Sequence, residues 1–156
     1  MKKNEKGFSL VELLVVVIII AIVAAIAIPN LLASRRAANE SAAVSALRTI
    51  HSAQITYQAT IGNQTGFATL AALATAANGN LLDGSFAGGS PITKTGYTFT
   101  EQATPTTTYC VHAEPIGSNG TRRFAVGVDG VVYYHATAAL TCTAGVVGGG
   151  GTVLGN

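Results

Sequence analysis

The chain has 156 residues, room for one domain and an anchor. Hydrophobic residues make up 49% and charged ones 10%, with the apolar excess concentrated at the front. A net charge of +2 and the lack of a basic stripe interleaved with aromatics leave a weak electrostatic footprint for nucleic acid.

The chain begins with a short basic stretch holding Lys2, Lys3 and Lys6, ends that stretch at Gly7, and turns apolar at Phe8. From Phe8 to Ala33 there are 26 residues and one charge, Glu12. A helix of that length reaches roughly 39 Å, enough to cross a ~30 Å hydrocarbon layer. A carboxylate in such a segment costs about 2.5–3.5 kcal/mol at mid-membrane, and less near the interface. Glu12 is therefore a functional candidate, a group retained because something outside the segment pairs with it. The three lysines fit cytoplasmic retention of the leader and export of the rest. An ordinary secretory signal is the competing reading, since Ala25-Ile26-Ala27 offers a cleavage site. Glu12 near the start of the apolar run, and Pro29 two residues past that cut, argue against it.

A basic leader ending in Gly7, then Phe8, a carboxylate at Glu12 and an unbroken apolar run together resemble a type IV prepilin, of type IVa-like pattern. The resemblance is specific over about residues 1–36 and architectural beyond them. It implies removal of leader 1–7 after Gly7 by a prepilin peptidase, with N-methylation of the new terminal Phe8. It also implies an assembly role for Glu12 and a helix kink at Pro29. Without Met1–Gly7, basic residues fall from nine to six and acidic ones from seven to six, so the mature chain is formally neutral.

Past Pro29, which removes a helical N–H, the helical pattern resumes. Ala43, Leu47, Ile50, Ala53, Tyr57 and Ile61 recur at spacings of three and four, and the opposite face carries Glu40, Ser41, Ser45, Arg48, Ser52 and Thr56. Gly62-Asn63 stops the helix. Residues 8–34 are expected as a membrane or filament-core helix and 35–61 as its amphipathic continuation, some 80 Å in all and kinked once. No globular domain of under about 100 residues covers that length. The first half needs lipid or other copies of the chain, which argues for a filament subunit without the family name.

Residues 62–95 read as a connecting loop with a helical turn or two near Phe67–Leu73. The period then changes to two at Tyr97–Thr100, 107–113, 123–128 and 131–135. Asp129-Gly130 signals a two-residue hairpin. These strands predict an antiparallel sheet over 96–144, one face of which packs on the apolar stripe of 43–61. The fold class is thus α+β and pilin-like: a long kinked N-terminal helix against a small antiparallel sheet. Residues 145–156, with four consecutive glycines, read as a flexible tail.

Cys110 and Cys142 lie in the part placed outside the cytoplasm, and an even count there favours a disulfide; two buried free thiols are the alternative. With 31 residues between them, a bond contributes roughly 3–4 kcal/mol in the chain-entropy picture. No metal or cofactor is expected. His112 and Glu114 share a strand face, but three ligands at recognisable spacing are absent. No serine sits in a nucleophile context and the glycines after 145 do not open a helix, so the reading is not an enzyme. Arg35-Arg36 marks the exit from the apolar segment, and Arg122-Arg123 reads as a solvated edge rather than a nucleic-acid contact. Asn39-Glu40-Ser41, Asn63-Gln64-Thr65 and Asn119-Gly120-Thr121 match the glycosylation triplet weakly.

The resemblance implies the major subunit of a helical, adhesive or motility-serving pilus. The precursor would be held by the inner membrane and assembled by inner-membrane machinery onto the cell surface. Two relatives of that class are the rivals, a type II secretion pseudopilin and a DNA-uptake pilin. The acids after residue 100, Glu101, Glu114 and Asp129, are too dispersed for the calcium loop of a major pseudopilin. A lone membrane-anchored binding domain is a third reading, but it would need neither Gly7 nor Glu12.

Overall fold

The apolar stripe and the period-two segments define the architecture that the computed structural model displays, in which residues 7–62, 66–102 and 107–155 are described. Helix α1 runs over Leu10–Thr60, with Pro29 inside it and helical assignment on both sides of the proline. It opens two residues after the expected start and closes before Gly62, whose N–H, like that of Ile61, donates back to the Tyr57 carbonyl. By contacts the described residues fall into two units, divided between Arg35 and Arg36.

In the first unit every residue from Phe8 to Arg35 is exposed except the half-buried Ala24. Leucine, isoleucine and valine occupy all sides of this segment, so it has no polar face. Lys2, Lys3 and Lys6 of the expected leader lie outside the described residues.

In the second unit the α1 stripe buries Ala43, Val44, Leu47, Ile50 and Ala53 in the core, with Tyr57 packed at its margin. Ile61, expected on the same face, lies past the helix end and stays exposed. Opposite the helix stands a six-stranded antiparallel sheet. Its strands are β1 (Ile92–Lys94), β2 (Tyr97–Glu101), β3 (Cys110–Pro115), β4 (Arg123–Gly127), β5 (Val132–His135) and β8 (Thr152–Val153), adjacent in that order. Alternation sends Tyr97, Phe99, Val111, Ala113, Phe124 and Val126 into the core against α1. Register fixes this set: Phe99 stands opposite Ala113, Val111 opposite Val126 and Phe124 opposite Tyr134. Each fully buried Leu, Ile or Phe contributes about 1.5–3 kcal/mol, so this face dominates the domain's stability.

Between α1 and β1 lie the short helix α2 (Leu70–Leu73) and two single 3-10 turns, Ala76–Asn78 and Gly84–Phe86. Thr69 caps α2 by accepting from the Ala72 N–H. The predicted helical turn near 67–73 is there, while β1 was expected as loop.

Two further differences concern hairpins. The β4–β5 register sets Val126 against Val132, so the connection is centred on Asp129 and not on the expected Asp129-Gly130 pair. Gly130 closes it in the left-handed region with φ +71°, its N–H bonded to the Gly127 carbonyl. The tail, expected as flexible for want of packing groups, carries β7 (Val146–Gly148) and β8. β7 pairs with β6 (Thr141–Thr143) in a second, two-stranded sheet, and β8 extends the main sheet beyond β5. The physical reason is local: Leu140 and Val147 are buried with Cys110 and Ala125 on the outer face of the main sheet, and the Leu154 N–H donates to the Val132 carbonyl. Packing groups flanking the glycines offset the entropy that glycine adds.

Candidate functional site

The predicted site residues fall in two places, and each is built by its own unit. At the N-terminal end Phe8 is 77% exposed, just ahead of the helix. Glu12 occupies the first turn of α1, where a carboxylate meets the positive end of the helix dipole. Its side chain is exposed, as are Leu10, Val11, Leu13 and Leu14 around it. Gly7 needs no glycine for the fold: a Cβ there would meet nothing within 4 Å. The cleavage after Gly7 and methylation at Phe8 expected from the sequence are therefore not demands of the fold.

The second place is a clamp between α1 and the β3–β4 connection, built from side chains that the sequence reading set on a solvated face. Glu40 is only 6% exposed. Its Oε1 accepts from the Thr121 N–H at 2.8 Å, the Thr121 hydroxyl at 2.8 Å and the Arg122 N–H at 3.3 Å. Its Oε2 accepts from Arg122 Nε at 2.7 Å. The Arg122 guanidinium also lies over the Phe124 and Tyr134 rings, at 5.6 and 5.4 Å. Burial pushes the Glu40 carboxyl up, but the donors from Thr121 and Arg122 together outweigh it and hold it below its usual range. Its neighbour Asn39 donates to the Asn119 carbonyl at 3.0 Å, and Arg36, one turn earlier, to the Ser118 carbonyl at 2.9 Å. Arg122 is thus no solvated edge, and Arg123 reaches Glu114 and the Thr137 carbonyl.

Further along the helix Gln54, fully buried, makes a two-way amide pair with Ala68, donating to its carbonyl at 2.6 Å and accepting from its N–H at 3.0 Å. His51 Nδ1 is hydrogen-bonded to the Tyr109 hydroxyl, and its ring lies against Gly130, where a Cβ would come within 2.5 Å of Nε2. Burial lowers the His51 pKa, opposed by the negative charge of Asp129. The signal for Glu40 and Gln54 was present: positions 40, 43, 47, 50, 54 and 57 continue one stripe at spacings of three and four. Polarity, not position, hid them.

Cys110 and Cys142 are bonded, with Cα atoms 6.3 Å apart, joining β3 to β6. His112, two residues along the same strand face, has Nε2 4.0 Å from Cys110 Sγ and 3.4 Å from Gln102 Oε1. Burial lowers its pKa against the opposing charge of Glu114.

An exposed apolar helix with a first-turn carboxylate, continued by an amphipathic stripe docked on an antiparallel sheet, defines a pilin-like subunit. The family profile described as the prokaryotic N-terminal methylation motif matches residues 2–28. The chain is also 37% identical over 136 residues to the type IV wide pilus major component PilA4 of Thermus thermophilus, covering 87% of this chain and 92% of that protein. The chain belongs to the type IV pilin family.

Proposed function

We propose that this chain is the major structural subunit of a type IV pilus, and not an enzyme. It is made as a single-pass inner-membrane precursor, cut between Gly7 and Phe8, methylated on Phe8 and assembled into a surface filament of like subunits that serves adhesion or motility. The observation that carries the reading is the segment from Phe8 to Ala33, exposed but for the half-buried Ala24 and with leucine, isoleucine and valine on all sides and one carboxylate in its first turn. A segment without a polar face has to be surrounded, by lipid before assembly and by neighbouring helices after it.

Glu12 sets the register. Cleavage before Phe8 creates an α-amine that stays cationic on methylation. An incoming amine meets the Glu12 carboxylate of a subunit already in place, and one axial position neutralises both charges. Leaving either charge buried and unpaired costs about 3–5 kcal/mol, by analogy with broken buried pairs. Glu12→Ala and Glu12→Gln should therefore leave export and cleavage intact, with an intact mass starting at Phe8, yet give few or no fibres by electron microscopy. Normal fibre yield from Glu12→Ala would remove the carboxylate from assembly. Pro29, whose ring cannot donate to the helix ladder, is where the packed helix opens in the fibre. A fibre map with regular, straight α-helix over residues 24–32 would overturn that part.

A further inference from the structure

The sequence spacing supplies no three-ligand metal motif, but folding assembles one. The ligand atoms of Cys110, His112 and Cys142 all lie within 4.8 Å of one another, the two sulfurs because they are bonded, so what the fold adds is the imidazole beside the pair. Metal–sulfur bonds of ~2.3 Å and metal–nitrogen bonds of ~2.0–2.1 Å at tetrahedral angles set neighbouring ligands about 3.4–3.8 Å apart. The 4.0 Å from Cys110 Sγ to His112 Nε2 is close to that spacing. Both cysteines are held on framework independent of their bond: Cys110 sits in β3 between β2 and β4, and Cys142 in β6 paired with β7. His112 also lines a cleft of 330 Å³ with Thr100, Glu101, Gln102, Glu114 and Leu140, so water or the Gln102 amide oxygen has room to fill a fourth position.

The geometry points to a redox-gated site for a thiophilic cation, closed while Cys110 and Cys142 are bonded and opened when they are reduced. A dithiol reductant supplies two electrons and two protons. Its sulfurs join as a disulfide, the Cys110–Cys142 bond breaks, and two thiols remain. Zinc(II) then displaces both thiol protons to solvent and bonds both sulfurs and His112 Nε2. Two thiolates and an imidazole select zinc over oxygen-seeking calcium or magnesium. The chain would accordingly carry zinc only before oxidation of its thiols or after their reduction. This inference stands apart from the assembly reading, because none of its residues belongs to the apolar segment.

The test uses the full chain in detergent micelles, oxidised or reduced with a dithiol that is then removed under argon, with cobalt(II) and zinc(II) alone as probes. Reduced protein should develop sulfur-to-cobalt charge-transfer absorption that one equivalent of zinc abolishes, and oxidised protein should show none. His112→Ala and the bulkier His112→Gln, each checked for native circular dichroism, should weaken zinc binding at least about tenfold, the scale of losing even an outer-shell partner. Absence of the charge-transfer band in reduced protein overturns the site. Zinc affinity unchanged in both His112 variants reduces it to a bare dithiol and overturns it equally.

Discussion

Leu14 and Leu47 lie on one helix, yet Leu14 is 51% exposed while Leu47 is fully buried. The difference was written in their neighbours. Around Leu14 every side of the helix is apolar, and no single face singles out a partner. Around Leu47, Ser45, Arg48, Thr49 and Ser52 keep one side wet, so the stripe through Ala43, Ile50 and Ala53 has one direction to go. A stripe specifies a fold within one chain, whereas apolarity on all sides leaves the surroundings to lipid or to other chains.

The sharpest way to break this contrast is the same substitution in both halves. Leu47→Ala should cost about 2–5 kcal/mol of unfolding free energy, the range for a buried leucine that leaves a cavity. Leu14→Ala should leave the stability of the folded domain within about 0.5 kcal/mol. Denaturant unfolding of the full chain in micelles, read by tyrosine fluorescence, measures both. Equal losses would mean that the two halves share one cooperative core.

A smaller effect is expected at Glu40, the buried carboxylate of the clamp. Glu40→Ala leaves the Thr121 N–H without its buried acceptor, a loss of about 1–3 kcal/mol. Arg122, 42% exposed on its side chain, turns to solvent, which keeps the figure away from that of a broken buried pair. Because the folded-state pKa of Glu40 lies below its ordinary 4.5, its contribution is present above that value and lost as pH falls through the folded pKa. Glu101 opposes it: burial raises its pKa against the bond from the Leu70 N–H, so its protonation favours the fold at low pH. Thermal unfolding from about pH 6 to about pH 3 should show a shallower acid limb in Glu40→Gln than in the parent. An unchanged limb would take the carboxylate charge out of the clamp.

The same residues show what the sequence disclosed. The helix, its buried stripe, the four central strands and the cysteine pair are legible because apolar period and cysteine count speak directly. Two tight hairpins are not. Lys94 pairs with Tyr97 across Thr95-Gly96, and Thr143 with Val146 across Ala144-Gly145, with positive φ at all four turn residues. This is the two-residue pattern usually announced by Asn-Gly or Asp-Gly, and Thr or Ala in the first place conceals it. Asp129-Gly130, which carries the standard signal, forms the longer connection because the Gly127 N-terminal to it accepts the Gly130 N–H. At the other candidate site, the roles proposed for Gly7, Phe8 and Glu12 rest on the motif alone.

The smallest effect belongs to His51, which carries the helix–sheet contact into the range of neutral pH. Nδ1 faces the Tyr109 hydroxyl, the other edge of the ring faces Gly130, and Asp129 is the negative charge that acts on it. Burial costs the imidazolium more than Asp129 returns, so the folded-state pKa lies below the ordinary 6.5. As pH falls through 6.5 the unfolded chain therefore takes up its proton first, and stability declines until the folded protein is protonated too. His112 moves in the same direction, because burial also lowers its pKa, so the parent protein reports both. His51→Gln removes one of the two titrations while keeping a polar group beside Tyr109. The decline between about pH 7 and about pH 5 should then be shallower in the variant than in the parent. Thermal unfolding at closely spaced pH values measures it. An identical decline in the variant would assign the whole effect to His112, on the outer face of the sheet, and leave the contact of α1 with the hairpin insensitive to pH.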